Sequence, residues 1–305
     1  MDSTQQQSLQ NGVYAAVLTP LLPDYTCNHT QLAAHCLELL NQGCQGIALF
    51  GTTGEGASFS VQERIEALQR LMQNGIPAEK IILGNGSAGI ADTIDLCHQA
   101  LESGCTSLLI APPSFYKNIS DEGVLAFYRQ VLHTIAEPAL QILLYHIPQL
   151  SGVAISLPVI EVLRKEFPKN IIGIKESEGN LPFTKAILKK FPDFKVFVGN
   201  ERHILEAVHS GGAGTICGIA NAYPQLISSL YEQAKKAFPN LTAENTTFLD
   251  TFCKALDGLP FIPAIKALMQ SRYGDVWELV RPPLTPLDQH TKKDLLSKLK
   301  NKLPF

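Results

Sequence analysis

The chain has 305 residues, 45% hydrophobic and 17% charged, with a formal net charge of -3. That length carries a sizeable core in one large domain or two modest ones. With no Lys/Arg block and no apolar run long enough to span a membrane, the composition excludes a nucleic-acid surface and a transmembrane anchor.

Residues 1–10 are polar and rich in glutamine. They have neither the basic start nor the apolar core of a signal peptide, so a cytoplasmic protein is expected. Residues 13–19 are a short apolar run stopped by Pro20, the first expected strand. A helix pattern begins at Thr30, repeats through Leu32, Cys36, Leu39 and Leu40, and closes at Gly43. Residues 46–50 form a second strand that runs into Gly51-Thr-Thr-Gly-Glu-Gly56. Ser60 caps the next helix, with Glu63 at the capping-box position, and that helix extends to Gln73.

The cycle repeats. Strands are expected at 80–84, 107–111, 140–145, 171–177, 195–198 and 214–218, with helices at 91–101, 120–134, 156–166, 182–190 and 201–209 between them. Strand starts fall roughly 20 to 35 residues apart, the rhythm of a closed (β/α)8 TIM barrel. A doubly wound sheet is the rival, but no dinucleotide fingerprint is present. After the eighth strand only helices follow, at 224–238, 243–256, 263–272 and 288–299. The expectation is therefore an α/β chain with a barrel over 12–224 and C-terminal helices over 225–305. The surplus helices should pack on the barrel or on a neighbouring subunit.

Seven scattered cysteines, an odd number with no C-x-x-C pair, read as free and mostly buried thiols in a reducing compartment. The eight histidines form no metal-ligand cluster, so no metal is expected. Sequons at Asn28, Asn118, Asn240 and Asn245 read as caps and turns. The Lys-rich end, residues 292–302, reads as a solvated amphipathic helix.

One strand, Ile171-Ile-Gly-Ile-Lys-Glu-Ser177, ends in a lysine. An amine at the end of a buried strand is costly to desolvate. Either Lys175 clears the rim and pairs with Glu176 or Glu178, or it loses its proton and becomes a nucleophile toward a carbonyl carbon. Residues that follow barrel strands meet at the carboxyl-terminal face. There the sequence places Gly51, Thr52 and Thr53, Tyr116, Tyr145, Lys175, Glu201 and Gly218. Gly51, Gly54 and Gly56 should let the chain turn with its amides exposed to a substrate carboxylate. Each residue also has a plainer reading: turn closure for the threonines, packing for the tyrosines, a solvated helix start for Glu201. His146, beside Tyr145, should point away from the barrel axis as a buried, hydrogen-bonded histidine.

Taken together, Gly51-Thr-Thr-Gly-Glu55, Tyr145-His-Ile-Pro-Gln-Leu-Ser-Gly152, Gly173-Ile-Lys-Glu-Ser177, Gly211-Gly-Ala-Gly-Thr-Ile-Cys-Gly218 and Arg281-Pro-Pro-Leu-Thr-Pro-Leu287 resemble the pyruvate-dependent class I aldolases. That family includes dihydrodipicolinate synthase and N-acetylneuraminate lyase. The resemblance implies a lyase with a barrel, a helical tail and a homotetramer built as two tight dimers. It implies Lys175 as Schiff-base lysine, Tyr145 as proton shuttle, Thr52 as the hydroxyl linking the shuttle, and Thr53 beside the substrate carboxylate. Tyr116 matches a tyrosine that crosses the tight dimer, although Pro113-Ser-Phe-Tyr116 departs from the family's usual threonine-proline-tyrosine-tyrosine. Gly51, Leu150, Ser177, Glu201 and Gly218 fall on the substrate's surroundings.

Two departures bear on the substrate. Leu150 stands where the synthase has the arginine that holds the aldehyde's carboxylate. The lyase's acidic pair and serine are replaced by Glu201-Arg202 and Gly218. The implied reaction uses pyruvate with an aldehyde or 2-oxo acid and makes or breaks a 4-hydroxy-2-oxo acid. No cofactor is implied, because the imine is the electron sink. The alternatives are dihydrodipicolinate synthesis from aspartate semialdehyde, with Arg202 as the one candidate for the missing arginine, cleavage of N-acetylneuraminate, aldol or dehydratase chemistry on a 2-keto-3-deoxy sugar acid, and a non-catalytic barrel that binds small acids.

Overall fold

The computed structural model describes residues 9–236 and 243–299. Eight parallel strands close a barrel in sequence order: β1 (Gly12–Ala16), β2 (Gly46–Leu49), β3 (Ile81–Asn85), β4 (Ser107–Ile110), β5 (Gln141–His146), β6 (Ile171–Glu176), β7 (Lys195–Val198) and β8 (Gly214–Cys217). The helices that return the chain are α1 (His29–Asn41), α2 (Val61–Gln73), α3 (Ile90–Glu102), α4 (Asp121–Ile135), α6 (Leu157–Glu166), α7 (Leu181–Lys190) and α8 (Ile204–His209). A further short helix, α5 (Pro148–Ser151), follows β5. Parallel strands need such crossovers, and a strand buried on both faces reads as a nearly continuous apolar run. Every residue of β1, β2 and β3 is buried.

Alternation divides each strand between two cores. Tyr14, Ala48, Ile82, Leu109, Leu143 and Phe197 fill the barrel, whereas Val13, Ile47, Leu83, Leu108 and Leu144 face the helices. The inner layer mixes sizes so that large rings fit, as in the edge-on contact of Tyr14 with Phe197 at 5.6 Å. One strand breaks the alternation. Between β5 and β6 the register steps from Ile142↔Ile171 to Leu143↔Gly173, so Ile172 is an extra residue. Such a bulge inverts the facing of everything after it. It turns Lys175 inward beside Tyr145 and Phe197, and Glu176 outward.

The barrel was expected and its strand ends fall within a few residues of the sequence reading. Ser60 and Glu63 form the capping box on α2, and Ser120 and Ser156 cap α4 and α6. The helix α5 was not expected, since Pro148 reads as a stop. Proline suits a first helical position, and Gly152 in the left-handed region ends the turn. The first turn of the helix expected at 201–209 is a 3-10 turn, Glu201–His203. After β8 come α9 (Pro224–Lys235), α10 (Ala243–Leu256), α11 (Phe261–Tyr273) and α12 (Gln289–Leu299), with α10 near the Glu201–His203 turn and α12 on α10 and α11. Residues 237–238 of the helix expected at 224–238, residues 300–302 of the Lys-rich end, and most of the polar N-terminus lie outside the described residues. So does Asn240, while Asn28 caps α1 and Asn118 sits in a left-handed turn. All seven cysteines are free and buried. Among the described residues no helix is long and apolar enough to cross a membrane.

The barrel is laced shut by Asn221. Its Nδ2 donates to Ala16 O at 2.7 Å and Gly218 O at 2.8 Å, and its Oδ1 accepts from Leu18 N at 2.9 Å. His35 Nε2 lies 3.0 Å from the same Oδ1, so the ring donates there. Burial pushes the His35 imidazole down to about 4, against a partial lift from Asn221. The unfolded value is about 6.5. As pH falls from about 6.5 to 4 the unfolded chain takes up a proton that the folded chain excludes. Stability then drops by up to about 3 kcal/mol. Chemical denaturation of His35→Gln, which keeps a donor but does not titrate, should show a flatter stability profile over this range than the parent.

Candidate active site

Lys175 is 4% exposed and Tyr145 6%, at the carboxyl-terminal end of adjacent strands where they pair directly. The amine lies 4.6 Å from the centre of the Tyr145 ring, a cation-over-ring contact. The Tyr145 hydroxyl is 3.1 Å from Thr52 Oγ1. A buried amine, a phenol and an aliphatic hydroxyl thus converge from β6, β5 and the turn after β2.

The rim ion pair considered for Lys175 does not form. Glu176 points outward and is fully buried. Its Oε1 accepts from the amides of Gly179 at 3.0 Å and Asn180 at 3.4 Å, and its Oε2 from Thr184 Oγ1 at 3.2 Å. The carboxylate therefore ties the loop after β6 to the start of α7. Glu178 faces His146 instead, with Oε2 3.3 Å from Nε2. His146 faces away from the barrel axis, as expected. Its Nδ1 accepts from Ile155 N at 3.1 Å, so Nε2 carries the proton. His146, Glu176 and Glu178 are close enough together to suggest a cation site, but the ring has no lone pair left for one.

The turn after β2 is held differently from the sequence expectation. Its left-handed residues are Phe50 (φ 52°) and Glu55 (φ 58°), not the glycines. Gly56 is required by close approach, since a Cβ there would lie 1.9 Å from Phe50 O. The Glu55 and Gly56 amides bond back to Thr52 O and Gly51 O. The Glu55 and Gly56 amides are thereby withdrawn from any anion bound at this turn. The Glu55 side chain is buried against Lys266 of α11, with Oε1 2.5 Å from Nζ, and its Oε2 accepts from Arg281 N at 2.5 Å. Lys266 also donates to Leu279 O at 2.6 Å. Burial lowers the Lys266 pKa, and the charge of Glu55 opposes that shift. Arg281 lies 3.9 Å over the Phe59 ring and reaches Ser58 O and Glu63.

A cavity of about 560 Å³ opens above Lys175. Thr53, Ser177, Leu150, Glu201 and Gly218 line it with Thr52 and Tyr145. Leu150 is 59% exposed and faces the cavity rather than the core. Ser177 Oγ is buried with no partner among the described residues. Glu201 is not a solvated helix start. It is 7% exposed, and its Oε1 accepts from Ile219 N at 3.0 Å. Burial raises its pKa, opposed by that amide and by the Lys175 charge. A Cβ on Gly218 would meet the Phe261 ring at 2.5 Å, so any side chain there would have to displace that ring.

Sequence reasoning missed the far wall. Asp257 comes from the loop between α10 and α11, Phe261 and Ile262 from the start of α11, and Leu284 from the segment beyond. The surplus of helices after β8 was the available signal, but it did not show which face meets the barrel. Arg202 is on the cavity wall, with Nη2 2.8 Å from Asp257 Oδ2. A second cavity of about 430 Å³ lies across the Thr52–Tyr145 bond, bordered by Gly51, Asn85, Pro112 and Ser114. Tyr116 is not brought to Lys175 within its own chain. It is 73% exposed, edge-on to Phe115 at 5.4 Å.

Comparison with known proteins agrees with this architecture. The model of the dihydrodipicolinate synthetase family matches residues 9–302. An uncharacterized DapA-like lyase of Chloroflexus aurantiacus is 32% identical over 222 residues, 72% of this chain and 74% of that protein. A 4-hydroxy-tetrahydrodipicolinate synthase of Methanococcoides burtonii is 29% identical, covering 95% of this chain and 97% of its own. The crystal structure of dihydrodipicolinate synthase from Agrobacterium tumefaciens superposes with a TM-score of 0.90 at 31% identity, covering 97% of this chain and all of that one. A Sulfolobus solfataricus 2-keto-3-deoxygluconate aldolase shares the fold, with a TM-score of 0.85 at 21% identity, covering 95% of this chain and 96% of that one. The chain belongs to the dihydrodipicolinate synthetase family, whose members are lyases.

Proposed function

We propose that the protein is a class I aldolase that cleaves or forms a 4-hydroxy-2-oxo acid through pyruvate bound to Lys175 as an imine. The observation that carries this reading is the buried amine of Lys175, without an ion-pair partner among the described residues and stacked on Tyr145, whose hydroxyl bonds Thr52. The neutral amine attacks the keto carbon and a carbinolamine forms. Tyr145 and Thr52 pass a proton to its hydroxyl, and water leaves. Tyr145 takes the proton of the C4 hydroxyl, the C3–C4 bond breaks, and its electron pair passes to the protonated imine, giving an enamine and a free aldehyde. Protonation at C3 and hydrolysis return pyruvate and the amine. Thr53 and the nearby turn amides hold the carboxylate.

The tail of the substrate meets mixed walls. Leu150, Phe261, Ile262 and Leu284 make one side apolar, while Glu178, Glu201 and Asp257 put carboxylates on the other. The cavity's cations are Lys175, which is consumed by the imine, and Arg202, which Asp257 already holds. An uncharged, hydroxylated tail suits these walls, and an anionic tail does not. Sugar-derived 4-hydroxy-2-oxo acids are therefore the favoured substrates. The second reading, condensation of pyruvate with aspartate semialdehyde, is supported by the relatives named as synthases and by the place of Arg202 on the wall. The protein also assembles as a homotetramer of tight dimers, with Tyr116 of a second copy entering the cavity beside Thr52 and Tyr145. The exposed Phe115–Tyr116 pair supports this assembly.

Pyruvate with borohydride should attach a stable adduct to Lys175, seen by intact mass and peptide mapping. No adduct, or an adduct on another lysine, removes the Schiff-base reading. Lys175→Ala should fold and show none.

Steady-state kinetics should show cleavage of a 2-keto-3-deoxy sugar acid and weak condensation with aspartate semialdehyde. Leu150→Arg should raise the semialdehyde activity roughly tenfold, about 1.4 kcal/mol of transition-state binding through a two-pronged carboxylate contact. A parental kcat/KM above about 10⁴ M⁻¹s⁻¹ for the semialdehyde restores the synthase.

Light scattering at micromolar concentration should report a tetramer, and Tyr116→Ser should slow turnover. A monomer of full activity contradicts the proposed assembly.

A further inference from the structure

We infer that Glu55 and Lys266 are positioning residues for the reaction: their buried contact fixes the 51–56 turn, and through it Thr52 and Thr53, against Tyr145. This rests on the aldolase reading above. The side chains of Glu55 and Lys266 are 0% and 1% exposed, so the pair is shielded from water and salt. Each partner is also fixed by the backbone. The second oxygen of Glu55 takes Arg281 N, and Lys266 donates to Leu279 O. The carboxylate is thus gripped by two pieces of chain that lie more than two hundred residues away in sequence.

That grip falls on a backbone position that resists it. Glu55 is in the left-handed region at φ 58° and ψ 27°, a conformation that disfavours residues with a side chain. A glycine would adopt it freely, yet the position carries a glutamate. The conformation lets the Glu55 amide bond Thr52 O at 3.0 Å while the side chain runs to α11. Thr19 Oγ1 holds Gly54 O at 2.7 Å from the β1 side. With Gly54 and Glu55 both pinned, Thr52 and Thr53 are left little freedom. The Thr52 hydroxyl needs that restraint, because its contact with Tyr145 is a single bond of 3.1 Å. A displacement of about 1 Å in such a relay costs about a hundredfold in rate. Helix α11 therefore acts on the proton path without touching it.

The test uses pyruvate alone, following exchange of its methyl protons in D₂O by proton NMR, with thermal melting alongside. Lys266→Met leaves the Glu55 carboxylate buried with half its partners, so both stability and exchange should fall. Glu55→Gln/Lys266→Met removes both charges, and the glutamine carbonyl still accepts from Arg281 N. Replacing a buried pair by neutral groups is often harmless to folding. The double variant should therefore melt near the parent, yet exchange about 10- to 100-fold more slowly at saturating pyruvate. Its KM should rise by less than its kcat falls, since Lys175 stays in place on β6. A double variant that melts and exchanges like the parent overturns the inference and reduces the pair to a structural contact. If the double variant does not fold, Lys266→Gln decides, because it keeps a neutral donor toward Glu55. It should recover part of the rate lost in Lys266→Met, and equal rates in the two overturn the inference. Borohydride trapping separates the two levels of the argument. A parent without an adduct on Lys175 removes the aldolase reading itself. A parent with the adduct, beside a stable double variant of full exchange rate, removes only the role of Glu55 and Lys266.

Discussion

Everything at the open end of the barrel depends on one extra residue. If the β6 alternation that faces Ile172 inward simply continued, Lys175 would face the helices. The bulge at Ile172 shifts the parity by one. Lys175 then enters the barrel mouth beside Tyr145, and Glu176 goes outward to hold the loop before α7. One irregularity thus separates an amine from a carboxylate that is its sequence neighbour. Had both faced the same side, the amine would have become half of an ion pair.

The contrast with Lys266 shows what burial does in each case. Both lysines are nearly inaccessible, but Lys266 has a carboxylate and a carbonyl, whereas Lys175 has the face of an aromatic ring. A buried charge held between an opposite charge and a backbone carbonyl is a fixed strut. An amine against a ring, with space above it, is free to react. The sequence contains two lysines in apolar surroundings, and only their partners tell them apart. Those partners, Glu55 and Tyr145, lie far away in the chain.

This distance explains what could be read in advance. Eight apolar runs with helix signals between them revealed the barrel, since periodicity and capping are local. Ser60 with Glu63, and Ser156 with Pro158, were legible for the same reason. The residues after each strand were legible as a group because a barrel gathers them on one face. What local patterns could not carry was the bulge, the left-handed Phe50 and Glu55 in a turn where glycines seemed the obvious choice, and the burial of Glu201. Each is set by tertiary neighbours: Gly173 opposite Leu143, Lys266 beneath Glu55, and the Ile219 amide facing Glu201. The far wall was illegible for a further reason, because helix propensity says nothing about where α10 and α11 dock.

The division of labour in the cavity follows from this geometry. The barrel strands and the turn after β2 supply the amine, the phenol and the threonines, and their positions are fixed by strand register. The wall that would face the proposed substrate's tail is built from Leu150 on a short helix, Arg202 in a 3-10 turn, and Asp257 with Phe261 from the C-terminal segment. These elements bear no barrel register, so a change among them alters the wall and leaves Lys175 in place. A family with one chemistry and several substrates is what such an arrangement permits. Gly218 marks the seam between the two parts, since it directly follows the last barrel strand and its missing side chain is where Phe261 sits. A larger residue there would displace the Phe261 ring from its place on the cavity wall. The bareness of that one position therefore couples the shape of the cavity wall to the barrel that holds Lys175.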